Sequence, residues 1–285
     1  MRKSVLSLVS VFVLGFALSA CAGPKPANAV LAQADENVMI FTNRTFANQN
    51  LSDLIRRQDG KTAIRLEFQR CTFQGVTSLS SLPNAYQAFP SGLFFRDCTF
   101  EGEINFQAIS FPGQVDFSKC QLKKGLICRN AVFMAPMGFR ECGFDGEAGF
   151  QNCIFMKECT WLGSVFYSYA LFQGSRFMKT SQFQNVRFMA NSDFTQCRFD
   201  EGGVFDFCIA TGKLDFSESR QEGLMTFRKS VLQKGLYLNR FRSFGPLRLF
   251  ETQLEDSLYH RDFRWFAEAP ESHGLQGKAA ASAGF

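Results

Sequence analysis

Cysteine is the residue whose chemistry this sequence most invites. Ten cysteines occur in 285 residues, and Cys98, Cys120 and Cys142 recur at intervals of 22. A thiol can bridge, ligate a metal, attack, or be modified. Metal ligation finds no support, because there is no CxxC pair and no histidine close to a cysteine. The two histidines, His260 and His273, sit near the C-terminal end, where a capping or solvated role outweighs acid–base work. Among carboxylates, Asp116, Asp193 and Asp215 share one phase of an 11-residue step. Asn105, Gly138, Gly149, Thr160, Gln182, Val204 and Thr226 occupy the same phase, which reads as a solvated surface. No catalytic residue, no cofactor and no metal site is therefore expected, and the chain is read as a non-enzyme.

Cys21 stands apart from the other nine. Arg2 and Lys3 precede an apolar run over residues 5–18, followed by Ser19, Ala20 and Cys21. This is the layout of an export signal, and at about 14 residues the run is shorter than the roughly 20 a membrane span requires. Leu18 to Cys21 resembles the bacterial lipoprotein lipobox. That resemblance implies cleavage before Cys21 and acylation of its thiol, with several acyl chains holding the protein to a membrane. An ordinary signal peptide cut after Ala22, using Ala20 and Ala22 as the small pair, is the alternative. Ala22 follows the cysteine where an aspartate would resemble an inner-membrane retention signal, so the expected address is the periplasmic face of the outer membrane. Removing Arg2 and Lys3 with the leader lowers the net charge from +5 to +3, too little to draw nucleic acid, so no nucleic-acid partner is expected.

The 35 phenylalanines carry the fold. Stepping by 11 from Phe95 meets Phe106, Phe117, Cys128, Phe139, Phe150, Trp161, Phe172, Phe183, Phe194, Phe205, Phe216, Phe227, Leu238 and Leu249 without an insertion. Five residues after each comes a second large residue, unbroken from Phe100 to Phe199 and loosening at Ala210, Gln221 and Ser243. Self-similarity at a fixed period marks a repeat architecture. Two residues before each large residue lies a smaller one, such as Cys98, Cys120, Ser164 and Ser175, or Ile104, Val115 and Ala148. A separation of two puts both on one face of a strand and on opposite sides of a helix. Each 11-mer is thus two short strands with inward residues, joined by corners of which the second is one residue longer.

This unit resembles the pentapeptide-repeat family, in a phenylalanine-rich form that FRDCTFEGEINFQAISFPG, beginning at Phe95, displays. The resemblance covers residues 41–258 and implies an all-β fold: a right-handed quadrilateral β-helix, here with about 22 residues per coil in place of the family's usual 20. Stacked coils would bring the rings into a common core, with small residues leaving room for them. The expected organisation is a leader over 1–20, a lipidated tether and cap over 21–40, the solenoid over 41–258 with a loop insertion at 76–91, and a cap and disordered tail over 259–285. Coils from Phe95 to Tyr259 would make a rod of about 35 Å at the strand spacing.

Seven cysteines, Cys71, Cys98, Cys120, Cys142, Cys153, Cys197 and Cys208, fall in the small inward slot that Ser and Ala fill elsewhere. With Cys21 acylated an odd number remains, and buried free thiols are favoured over disulfides. On the outside, Arg176, Arg198, Arg220 and Arg242 fall on one column, with Arg187 on the opposite face. Asp200, Glu218 and Glu222 flank the column, so self-neutralisation competes with an anion-binding strip for a lipid head group, a phosphate-bearing glycan or an acidic partner. The same face carries Val132, Met134, Ile154, Met156 and Met178 at outward positions, an apolar patch of the kind that marks interaction sites unless a loop covers it. The resulting expectation is a membrane-anchored interaction scaffold with an envelope protein, anionic glycan or lipid head group as partner. A glycan-binding or glycan-cleaving β-helix is the alternative. The sequence indicates no oligomeric state.

Overall fold

A computed structural model describes residues 38–55, 64–79, 87–267 and 269–276. The expected leader, Cys21, most of the tether and the tail from 277 lie outside the described residues. The chain winds through four parallel sheets in turn. Face one runs from Val38–Thr42 to Leu247–Arg248 and face two from Thr45–Ala47 to Gln253–Leu254, each with ten strands. Face three runs from Thr77–Ser78 to Leu258–Tyr259 and face four from Gln87–Ala88 to Arg264–Trp265, each with nine. The protein is an all-β, four-sided solenoid. Neighbouring strands are related by 22 residues, as in Phe95↔Phe117↔Phe139 on face one. Ten strands at a spacing of about 4.8 Å stack over about 43 Å.

The 11-residue arithmetic is visible in the backbone. A left-handed residue recurs every 11 positions at Ala108, Lys119, Asn130, Glu141, Asn152, Gly163, Gly174, Asn185, Gln196, Phe207 and Glu218. These are the short corners, leading from face one to face two and from face three to face four. The long corners carry the extra residue.

The interior is filled by rings that stack along the axis and meet edge-on across it. Trp161 stacks on Phe183 at 4.4 Å and Phe183 on Phe205 at 4.6 Å, while Phe172 meets Phe183 at 5.6 Å and 87°. Offset stacks and T-shaped pairs are the arrangements that ring quadrupoles favour. Each fully buried Phe is worth about 1.5–3 kcal/mol. Where the aromatic spine loosens, the inward slots remain inward. Gln221 is buried, and its Nε2 donates to Ser243 Oγ, Gly245 O and Pro246 O at 3.0, 2.7 and 3.0 Å. One coil later large and small are exchanged, with Phe241 and Ser243 both buried.

Three boundaries differ from the expected ones. The solenoid opens at Val38, so residues 38–40 are strand and not tether. Its first two coils are longer, Phe41↔Phe68↔Phe95 stepping by 27. Within 76–91, Thr77–Ser78 and Gln87–Ala88 are strands of faces three and four, Leu79 and Phe89 are buried, and the five extra residues lie between 78 and 88. At the far end, Leu258–Tyr259 and Arg264–Trp265 extend faces three and four, while Arg248↔Glu271 and Gln253↔Gln276 bridges begin another coil. Residues 259–267 therefore continue a coil where a cap was expected.

Candidate interaction surface

Between its inward residues each strand exposes alternate positions, and exact 22-residue register turns these into straight columns. On face four the first column reads Ser110, Val132, Ile154, Arg176, Arg198, Arg220, Arg242 and Arg264. Two residues on, Met134, Met156, Met178, Asp200, Glu222, Phe244 and Phe266 follow one another, each amide from Met134 onward donating to a carbonyl one coil earlier. All nine residues assigned to a partner surface thus share this face. Met134, Ile154 and Met156 are 44%, 39% and 38% exposed, and Val132 and Met178 are half-buried.

The charged stretch is a zipper. Asp200 takes Arg176 at 2.8 Å and Arg198 at 2.6 Å, and Glu222 takes Arg198 at 2.7 Å and Arg220 at 3.1 Å. Hydrogen bonding to Asp200, then its charge and that of Glu222, holds the Arg198 guanidinium more firmly protonated than usual. Arg220 also lies over the Phe244 ring at 4.1 Å. Self-neutralisation therefore accounts for Arg176, Arg198 and Arg220. It does not reach Arg242 or Arg264, which have no ionic partner among the described residues. Glu218 stands at a corner and not in this zipper; Gln196 and then Arg240 hold its carboxyl below the usual range.

The three aspartates do not converge. Asp116 is on face one, paired with Arg140, whereas Asp193 and Asp215 are on the opposite face three. There each accepts the amide two residues on, from Thr195 at 2.8 Å and Ser217 at 2.9 Å. Asp206 is the buried one, and it accepts Thr226 Oγ1 at 2.8 Å and the Arg228 amide at 3.0 Å. These carboxylates hold turns and neighbouring coils. The backbone carbonyls of His260 and His273 accept from Phe263 and Glu251, joining them to the last coil.

Cys71, Cys98, Cys120 and Cys142 stack on successive coils of face two, and all nine described cysteines are free and buried. The small slot has a polar task that spacing alone did not reveal. Cys142 Sγ donates to Phe117 O at 3.5 Å, Cys197 to Phe172 O at 3.0 Å and Cys208 to Phe183 O at 2.8 Å. Ser219 and Ser230 hydroxyls do the same to Phe194 O and Phe205 O at 2.6 and 2.7 Å. The serines also accept the amide of the cysteine one coil earlier, Cys197 N at 2.9 Å and Cys208 N at 3.0 Å. A corner turns peptide groups out of the ladder, and a short side chain with a weak or strong donor satisfies them. Burial pushes the Cys120, Cys128 and Cys159 thiols far up and Cys153 to about 12. A buried, protonated thiol is a poor nucleophile. At pH 8 the native protein should therefore give no rapid reaction with a thiol reagent at Cys120, Cys128, Cys153 or Cys159, all four of which should react in guanidinium; rapid native labelling mapped to any of these four would overturn the placement.

A second apolar patch escaped the sequence reading. On face two, opposite face four, Val165, Arg187, Ile209 and Val231 form a column beside Tyr167 and Met189. Tyr167 is 57% exposed, Met189 and Phe207 42%, and Ile209 38%. The same 22-residue stepping that isolated the arginines would have found it.

No protein-family model matches the chain, and no curated protein and no solved structure gives a significant match. The structure is a β-solenoid of phenylalanine-rich coils with a 22-residue period, consistent with a pentapeptide-repeat fold.

Proposed function

We propose that this chain is a pentapeptide-repeat lipoprotein, acylated at Cys21 and attached to the periplasmic side of the outer membrane, that acts as a non-enzymatic scaffold for envelope proteins. The observation that carries the reading is the pairing of a filled interior with flat faces that expose apolar side chains in register: Met134, Ile154 and Met156 on face four, and Tyr167, Met189 and Ile209 on face two. Surface this apolar on successive coils is costly to leave to water and commonly marks protein contacts. Methionine and tyrosine are also enriched at such contacts. The placement of Asp116 opposite Asp193 and Asp215 favours the scaffold over a glycan-cleaving groove, which needs converging carboxylates.

Pull-down from envelope fractions tests this, with the full chain as bait beside Met156→Asp and Ile209→Asp. Both positions are outward, so both variants should fold. One or more proteins recovered by the wild type should be lost with at least one variant. Recovery of the same set, at the same level, by all three baits would remove the scaffold reading.

A further inference from the structure

We infer that the C-terminal end of face four is a docking site for the phosphoryl head groups of an anionic membrane surface. The inference rests on the reading of face four as an interaction surface and names the partner of its far end.

The argument begins with a change of residue type in one column. Along Arg176, Arg198 and Arg220, the neighbouring column supplies Asp200 and Glu222, and each carboxylate is shared by two guanidinium groups. Over the next two coils the arginines continue as the register pair Arg242↔Arg264, but the neighbouring column supplies Phe244 and Phe266, stacked at 4.4 Å. Both arginines are exposed. Adjacent strands lie about 4.8 Å apart, where like charges in register repel. The sequence thus keeps the cations and omits the counter-ions that neutralise the same column upstream. A phosphoryl group carries the negative charge and the several acceptor oxygens that planar guanidinium forks bind bidentately.

The aromatics say what the phosphoryl group is attached to. Trp265 takes the inward slot that Ser243 fills one coil earlier and lies in the last strand of face four among the described residues; it keeps 43% of its surface exposed and Phe266 keeps 57%. Tryptophan beside arginine and phenylalanine is the combination that settles at the boundary between head groups and acyl chains. A free phosphate would use the arginines and leave the rings in water; an anionic bilayer uses both.

The chain has two tryptophans, and Trp161 is fully buried, so Trp265 reports on the site. The test uses residues 21–285 with Cys21→Ser, so that neither the apolar leader nor an acyl chain contributes, mixed with phosphatidylcholine vesicles with and without phosphatidylglycerol. Expected are co-sedimentation and a blue shift of Trp265 emission only where phosphatidylglycerol is present. Arg242→Ala with Arg264→Ala should weaken binding about 30-fold, at roughly a tenfold loss per 1.4 kcal/mol and about 1 kcal/mol per arginine near an anionic surface. Arg140→Ala, on face one and paired with Asp116, should change it less than twofold. Equal binding by the double variant, or equal binding to vesicles without phosphatidylglycerol, would overturn the inference. So would inorganic phosphate alone shifting the emission as far as vesicles do, which assigns the arginines to a small free anion. Envelope proteins lost from the double variant while vesicles leave Trp265 unchanged would assign them to a protein. The scaffold reading is tested at Met156 and Ile209 and stands or falls separately.

Discussion

Trp161→Ala is expected to lower the unfolding free energy by about 3–5 kcal/mol, whereas Trp161→Phe should leave it unchanged or raise it by about 1 kcal/mol. Trp161 is fully buried, stacked on Phe183 at 4.4 Å and edge-on to Phe150, Phe155 and Phe172 at 5.8, 5.7 and 5.1 Å. Alanine would leave a cavity bounded by rings that backbone register holds in place, so little collapse could offset it. Phenylalanine is what the same column carries one coil either way, at Phe139 and Phe183. It loses a few tens of Å3, about 1 kcal/mol. Against that, the indole Nε1 has no hydrogen-bond partner among the described residues, and a buried orphan donor costs about 1–3 kcal/mol. The balance falls near zero or favours phenylalanine. Guanidinium unfolding followed by far-ultraviolet circular dichroism decides it, since Trp161 fluorescence is lost in both variants. If phenylalanine costs as much as alanine, ring volume and not the unpaired N–H dominates this slot.

Why the interior was legible and the ends were not follows from what a period can encode. An uninterrupted 22-residue register puts Phe95, Phe117 and Phe139 above one another whatever lies between, so the core and the columns of face four could be read by counting. Counting fails where length changes. The first two coils step by 27, and the resulting break in phase made 76–91 look like a loop although Thr77–Ser78 and Gln87–Ala88 stay in the sheets. It fails again toward the far end, where Gln221 and Ser243 depart from the large-residue pattern while the backbone keeps pairing.

Two other misses have chemical causes. An 11-residue step moves half a coil, so Asp116 and Asp193 share a phase yet stand on opposite faces; only a 22-residue step defines one column. By spacing alone the small slot is room for a ring. Space does not separate Ala131 from Cys153 or Ser175, but the carbonyl left at each corner does, because Ser175 Oγ reaches Phe150 O at 2.5 Å and alanine offers no donor. Side-chain hydrogen bonds at corners depend on peptide orientation, and periodicity carries no information about that.

The long corners supply the other large effect. Gly146→Ala is expected to cost about 3 kcal/mol, the upper end of what overpacking costs, although Gly146 is not among the left-handed positions. A Cβ there would overlap the Lys124 carbonyl and the Gly125 nitrogen one coil earlier. Both are backbone. Relief requires the coils to separate where Asp145 N donates to Leu122 O at 2.9 Å and Leu126 N to Glu147 O at 2.9 Å, so the clash is converted into lost ladder bonds on either side of the corner. Gly163 provides the contrast. Its φ is +67°, but an added Cβ would find only Glu141 Cγ, at 3.5 Å. Gly163→Ala should therefore cost about 1 kcal/mol, the left-handed penalty alone, and Gly163→Asn less, since Asn152 and Asn185 hold that conformation at other short corners with φ of 55° and 56°. Urea unfolding of the three variants ranks the causes. A Gly146→Ala loss no larger than that of Gly163→Ala would mean that coils can part at a corner more easily than continuous parallel pairing allows. The spacing that aligns the outward columns would then be set by the rings inside and not by the backbone.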